Sequence, residues 1–311
     1  MKKIYNVCIS SPDEVLFRDE ADHTHFINCY ARALEVTDAS SYCDVEMSTH
    51  SHFCLAAGKL SETVRSIRTA YSMYFNNRWH RRGKLGESGY YAIEVLGLNH
   101  FLTVICYDMR NPVHHGLTPT PFSYPYSSVN CYFREDLGKT LIVDRSLSLE
   151  EIRRTLPRRA RWSDDFVMNE SGIFIRDSFT EVKVVERQFG SARSFNYLMN
   201  RVSGEEWRKM QEQDQNGIQP FSLETVEAQI LRHQPNTEQI LRDMYDKEHG
   251  RFRKPAMDDL QLCSLIDNEY VPDLGMYSVY DLAPFMKERI AKDILRKHQI
   301  PFDQIKRCLV L

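Results

Sequence analysis

Two histidine pairs of the form H-x-H are the residues whose spacing points most directly to chemistry. On a β-strand, residues i and i+2 project from one face, so His50 and His52 would aim both imidazoles at one point, as a metal requires of two ligands. His23 and His25 fall at the start of a predicted helix, where i and i+2 diverge. The spacing therefore favours His50 and His52 as a ligand pair, which still needs further ligands.

Tyr107 is a second residue that the sequence pattern sets apart. It lies about 200° around its predicted helix from Ile105, so we expect it opposite the apolar stripe and outside the core. Asn111 follows one turn later, so its amide oxygen and the phenol can reach the same site. Pro112 disfavours helical geometry at Asn111 and predicts that the helix ends there. The predicted stripe consists of Leu98, Phe101, Leu102, Ile105 and Met109.

A basic segment interleaved with aromatic residues runs from Lys59 to Lys84, with Glu62 as its one acidic residue. Cations that bind phosphates, beside rings that stack on bases, suit single-stranded nucleic acid. We assign most of the rings to the core and predict that the cations contact DNA. A second basic cluster further along the chain adds three more predicted DNA-binding cations. The predicted DNA-binding residues are Arg65, Arg68, Arg78, Arg81, Arg82, Lys84, Arg153, Arg154 and Arg158.

The order of apolar periodicities predicts the fold of the first 140 residues. Period-two and period-3.6 segments alternate as strand, helix, strand, strand, helix, strand, helix. This order predicts an α+β fold, with a ferredoxin-like split βαβ core and an appended helix that carries the tyrosine. The predicted strands are Lys3 to Ser10, Tyr42 to Met47, His50 to Ala57 and Tyr90 to Leu96. The first predicted helix runs from Asp19 to Glu35. The second begins at about Leu60, with Ser61 as its cap.

Three regions are predicted along the chain: a first domain at 1–140, a basic linker at 141–165, and a mainly helical C-terminal domain at 166–311. Within the last region, 172–185 has the pattern of one or two strands. Residues 284–311 have helix-turn-helix spacing, with helices from Pro284 to His298 and from Phe302 to Leu309.

Composition restricts the class of protein. At 311 residues, with 42% hydrophobic and 27% charged residues, the chain is long and apolar enough to bury sizeable cores, which excludes disorder. No stretch approaches the roughly 18 apolar residues of a membrane span, and no export signal follows the first residues, so we expect a cytoplasmic protein without a membrane partner. Eight cysteines without a C-x-x-C pair indicate reduced, structural thiols. The net charge of −3 gives no argument for nucleic acid by itself.

Four segments, in this order, resemble the REP-associated tyrosine transposases of the wider HUH single-strand transposase superfamily. They are residues 47–52, 74–78, 107–116 and 124–128, and the resemblance covers about residues 1–135. The last two segments are the specific ones, since they read N-P-V-x-x-G and Y-P-x-S-S at a family-like interval.

The resemblance implies a metal-dependent single-stranded DNA endonuclease and strand transferase. It implies Tyr107 as the nucleophile that forms a 5'-phosphotyrosine link, His50 and His52 as metal ligands, and Asn111 as the third ligand. Mg²⁺ or Mn²⁺ would be the cofactor, since two imidazoles and an amide oxygen are compatible with either ion. The implied partner is single-stranded or hairpin DNA, bound by a monomer or a homodimer.

The sequence also departs from the family pattern. Ser51 stands where relatives carry a bulky hydrophobic residue, and Ser10 stands where they tend to carry a basic one. These departures support an alternative, a domesticated, non-catalytic DNA-binding or regulatory protein. A third hypothesis is a zinc hydrolase that adds a further histidine to the pair, for which the candidates are His100, His114 and His115.

Overall fold

The computed structural model describes residues 2–139, 145–200, 257–298 and 300–311, and the backbone of two short strands, β5 (Tyr245–Asp246) and β6 (Arg251–Phe252). Its first part is a four-stranded antiparallel sheet in the order β2-β3-β1-β4. The strands are β1 (Lys3–Ser10), β2 (Ser40–Met47), β3 (His50–Ala57) and β4 (Tyr91–Glu94), and the helices between and after them are α1 (Glu20–Val36), α2 (Leu60–Arg78) and α3 (Gly97–His114).

Helices α1 and α2 cover one face of the sheet, where Phe53 of β3 lies in their shared core. Asp19 caps α1 by accepting a hydrogen bond from the backbone N–H of Asp22 at 3.1 Å. The predicted cap of α2 was wrong, because the helix already begins at Leu60 and Ser61 therefore lies inside its first turn. Lys59 occupies the cap position without a side-chain hydrogen bond.

Helix α3 packs on the opposite face, with Val104, Ile105 and Met109 in a second core that also contains Cys54 of β3. The predicted end at Asn111 was wrong, since the helix continues through Pro112 to His114. A proline this close to the end of a helix removes only one hydrogen bond. The backbone N–H of His115 still donates to the backbone carbonyl of Asn111 at 3.0 Å. Leu98, predicted in the core stripe, is 48% exposed because it lies in the first turn.

Residues 145–200 pack onto both cores. Helix α4 (Leu149–Thr155) begins with a capping box between Ser148 and Glu151, and its Ile152 joins the core under α1 and α2. Helices α5 (Val182–Phe189) and α6 (Ala192–Asn200) join the core of α3. The strands predicted at 172–185 were wrong: the described residues there make isolated bridges, then a 3-10 turn at Arg176–Ser178 and the start of α5.

Residues 257–298 and 300–311 form a third, helical core. Helix α7 (Asp259–Leu265) continues through a π-helical turn at Ile266–Tyr270 into the short α8 (Val271–Asp273), and α9 (Pro284–His298) and α10 (Phe302–Leu309) have the predicted bounds. Arg18, which has no exposed surface, joins this region to the first by pairing with Asp267 at 2.8 Å and donating to the carbonyl of Cys308 at 2.9 Å.

The architecture is therefore mixed α/β, a four-stranded antiparallel sheet with helices, followed by a mainly helical C-terminal region. None of the helices in the described ranges is both long enough and apolar enough to span a membrane.

Candidate active site

The candidate site lies between the first residues of β3 and the second half of α3. Strand alternation directs His50 and His52 to the face of the sheet that α3 covers, with their ring centroids 5.1 Å apart. In the sheet, His50 pairs with Ser10 of β1 and His52 with Cys8. Both histidines are buried.

Asn111 joins the two histidines through its amide. His50 Nε2 donates to Asn111 Oδ1 at 3.1 Å, and Asn111 Nδ2 donates to His52 Nε2 at 3.3 Å. Thr49 Oγ1 lies 3.1 Å from His50 Nδ1, where it can donate to the remaining ring nitrogen. The three predicted ligands therefore converge through the atoms with which imidazole and amide side chains bind metals.

Tyr107 lies beside this group, with its ring nearly perpendicular to that of His52 and the centroids 5.6 Å apart. The expectation that it lies outside the core was wrong, since only 7% of the residue is exposed. The face of α3 opposite the apolar stripe is buried as well, because it turns towards β3 around Asn111 and His52. One-dimensional periodicity identifies an apolar face but does not detect a second, polar buried face.

Sequence analysis missed Asp108, which contacts the site from the side. Its Oδ1 lies 3.6 Å from His52 Nδ1, and its Oδ2 accepts a hydrogen bond from the Cys43 thiol at 3.5 Å. Asp108 has no exposed surface. The available signal was an acidic residue one position from Tyr107, between the apolar Ile105 and Met109.

Of the three histidines considered as further ligands, two lie near the candidate site and one lies far from it. His115 lies near the candidate site, with its ring centroid 5.2 Å from that of His50, and His114 lies 6.5 Å from the ring of Tyr107. His100 lies at the other end of α3, where its Nδ1 accepts from the backbone N–H of Leu96 at 3.0 Å.

Burial sets the electrostatics of the site. It lowers the pKa of His50 to about 4, although the hydrogen bond to Asn111 opposes the shift. Burial and the neighbouring imidazoles lower the pKa of His52 and His115 well below their usual range. Burial also raises the pKa of Asp108 well above its usual range. The histidines are therefore neutral near pH 7, and each ring keeps one lone pair. That of His52 is on Nε2, whereas His50 donates from Nε2 and must move this proton to Nδ1 before it can bind a cation there.

The donor atoms of His50, His52 and Asn111 fit a divalent cation whose remaining ligands are supplied by water or substrate. Within the described ranges, no group of three or more His, Cys, Asp or Glu side chains is arranged to hold a metal ion. A site here therefore depends on Asn111 in addition to His50 and His52. Two imidazoles and one amide oxygen suit Mn²⁺, and they suit Mg²⁺ when phosphate and water oxygens complete its shell.

Three of the predicted DNA-binding cations are engaged within the protein. Arg78 pairs with Asp22 at 2.6 Å, and Arg81 pairs with Glu14 at 2.9 Å. Arg68 donates to three consecutive backbone carbonyls, at residues 87–89. These contacts connect α2 to the segments at residues 14–22 and 84–90.

The other predicted cations are exposed. Arg65 and Lys84 border a groove of about 610 Å³ between α2 and the segment before β4, together with Met73 and Tyr90. Arg82 lies next to this groove in the sequence and is also exposed. In the later basic cluster, Arg153 and Arg158 are exposed, and Arg154 pairs with Glu150 on the surface.

No family model matches this chain, and no curated protein matches it. Among solved structures, a REP-associated tyrosine transposase bound to a REP hairpin is similar, with a TM-score of 0.37 and 13% identity, over 44% of this chain and 81% of that chain.

Proposed function

We propose that this chain is a metal-dependent single-stranded DNA endonuclease and strand transferase of the HUH tyrosine transposase type. The observation that carries the proposal is that the amide of Asn111 makes hydrogen bonds of 3.1 and 3.3 Å to His50 and His52, beside the ring of Tyr107. The strand order β2-β3-β1-β4, with α1 and α2 on one face, supports a ferredoxin-like core for this site.

The proposed reaction is a transesterification at phosphorus. A phenol is a weak nucleophile, since its ordinary pKa is about 10. A divalent ion held by His50, His52 and Asn111 would polarise the scissile phosphodiester and neutralise the charge that develops on it. Tyr107 Oη attacks phosphorus, forms a 5'-phosphotyrosine bond, and releases a free 3'-hydroxyl. Attack by another 3'-hydroxyl reverses the step and joins strands without an external energy source.

The proposed partner is single-stranded or hairpin DNA. The exposed cations Arg65, Arg82 and Lys84 are suited to bind its phosphates, and the half-buried ring of Tyr90, which lines the groove, would stack on a base. We propose a cytoplasmic location, which eight buried cysteines without a disulfide support.

Covalent capture tests the proposal. Labelled hairpin-bearing single strands, incubated with the protein and Mn²⁺ or Mg²⁺, should yield a protein–DNA adduct that survives denaturation. Tyr107→Phe should abolish the adduct, His50→Ala should reduce it strongly, and a chelator should prevent it. Tyr277→Phe is the matched control, because Tyr277 is 65% exposed and belongs to the C-terminal region. An adduct that survives Tyr107→Phe would assign the nucleophile to another residue.

The alternative is a DNA-binding or regulatory protein without cleavage. The observation that favours it is the burial of Tyr107, since the scissile phosphate must reach a phenol of which little is exposed. Hairpin binding without an adduct under either metal would support this alternative.

A further inference from the structure

We propose that Asp108 is a positioning residue, which holds His52 in the tautomer whose Nε2 lone pair points into the candidate metal site. The consequence for metal binding rests on the proposed function. The pairing of the two side chains does not, and it can be measured in the metal-free protein without DNA.

The first support is the pairing of two otherwise unsatisfied atoms. His52 Nδ1 and Asp108 Oδ1 lie 3.6 Å apart, and both are buried atoms without a close hydrogen bond, although the side chain of Asn6 also lies near Asp108. Among the ion pairs of the described ranges, no lysine or arginine pairs with Asp108. Buried polar atoms without partners are unfavourable, so a small rotation that closes this contact satisfies both.

The second support is the direction of the hydrogen bonds around the site. An amide nitrogen is a donor only, so Asn111 Nδ2 requires a lone pair on His52 Nε2, at 3.3 Å. A neutral imidazole with that lone pair carries its proton on Nδ1, the atom that faces Asp108. Histidines that bind metals through one nitrogen commonly donate from the other to a carboxylate, which fixes the ring.

The third support is the anchoring of Asp108 itself. Its other oxygen accepts from the thiol of Cys43, on the adjacent strand β2, at 3.5 Å. Cys43 has no exposed surface, so this contact is protected from water. The thiol holds Oδ2 and leaves Oδ1 directed at His52.

The test is a ¹H–¹⁵N correlation spectrum of the histidine side chains in the metal-free protein, with Mn²⁺ affinity as a second measurement. In the wild type, we expect the proton of His52 on Nδ1. In Asp108→Asn, the Cys43 thiol would retain the amide oxygen and the amide NH₂ would face His52 Nδ1. The proton should then move to Nε2, and Mn²⁺ affinity should fall by about 10- to 100-fold.

Asp44→Asn is the matched control. Asp44 is an equally buried carboxylate next to Cys43 on β2, but it pairs with Arg176 rather than with a histidine. This variant should leave both the tautomer of His52 and the Mn²⁺ affinity unchanged, which separates a positioning effect from a general loss of packing.

Either of two results would overturn the proposal. One is a wild-type His52 whose proton sits on Nε2, a result that decides the question even if the variant fails to fold. The other is a folded Asp108→Asn protein that keeps the wild-type tautomer and binds Mn²⁺ within about twofold. Failure of the wild type to form a DNA adduct would count against the nuclease assignment alone, because the tautomer is read without DNA.

Discussion

Ser48 Oγ donates a 2.6 Å hydrogen bond to Asp259 Oδ2, which joins the turn before His50 to a helix 211 residues later in the chain. Asp259 also accepts two 2.8 Å hydrogen bonds from the guanidinium of Arg307 on α10. The C-terminal region is therefore anchored directly beside the candidate site. The stability of the C-terminal region and the position of the turn before His50 therefore both depend on the carboxylate of Asp259.

Asp259→Ala should destabilise the protein strongly. The substitution leaves the largely buried Arg307 guanidinium without its partner, and breaking a buried ion pair from one side costs roughly 3 kcal/mol or more. Urea denaturation measures the change in the free energy of unfolding. Glu288→Ala, on the exposed surface of α9, is the control and should change it by less than about 0.5 kcal/mol. A loss below about 1 kcal/mol for Asp259→Ala would show that the pair contributes little.

The two kinds of cation on and after α2 should respond differently to substitution. Arg82→Ala with Lys84→Ala removes exposed charges, so it should weaken binding of single-stranded DNA with little change in stability. If each residue binds one phosphate, the slope of log K against log salt should become shallower by about 0.7 per residue. Fluorescence anisotropy at several salt concentrations measures this slope. Lys183→Ala, an exposed lysine of α5, should leave it unchanged.

Arg78→Ala should instead lower stability. Its guanidinium pairs with Asp22, which has no exposed surface, so removing it leaves a buried carboxylate with fewer donors. We expect a loss of roughly 2 kcal/mol in the free energy of unfolding, measured by urea denaturation. A stable Arg78→Ala variant that binds DNA poorly would instead support a direct DNA contact.

Much of the fold was predictable because the signals are local. Strands β1 and β3 have their predicted bounds, and so do α9 and α10. The placement of His50 and His52 on one strand face follows from their spacing of two residues, because side chains alternate between the faces of a strand.

The rest required contacts between residues distant in the sequence. Asp108 gave a weak signal by itself, and its relation to His52 exists only once α3 lies across β3. Likewise, the sequence predicted that Arg78 contacts DNA and gave no sign that Asp19 and Asp22 of another helix end would pair with it. Charge patterns show where cations occur but not which carboxylates they meet.

The contribution of Glu46 to stability should decrease as pH rises from about 4.5 to about 7, opposite in sign to the contribution of the buried histidines, whose pKa values are lowered. Arg176 lies between the buried carboxylates of Asp44 and Glu46, and burial raises the pKa of Glu46 from 4.5 to about 7 despite that arginine. A raised carboxyl pKa means that the folded state binds its proton more tightly, so ionisation costs up to about 3 kcal/mol across this window. Glu46→Gln removes this contribution, so the stability of the variant relative to the wild type should rise across the window, in denaturation measured at several pH values. A difference between the two proteins that does not change with pH would show that Glu46 makes no such contribution.

Asn111→Ala should weaken Mn²⁺ binding by at least about tenfold. The substitution removes the amide that bridges His50 and His52, and with it the oxygen proposed as the third ligand. Isothermal titration calorimetry on the metal-free protein measures the affinity, and circular dichroism checks that α3 is retained. Asn77→Ala, at an exposed position of α2, is the control and should bind Mn²⁺ like the wild type. Unchanged affinity in Asn111→Ala would mean that the ion is held without this amide, and the proposed ligand set would be wrong.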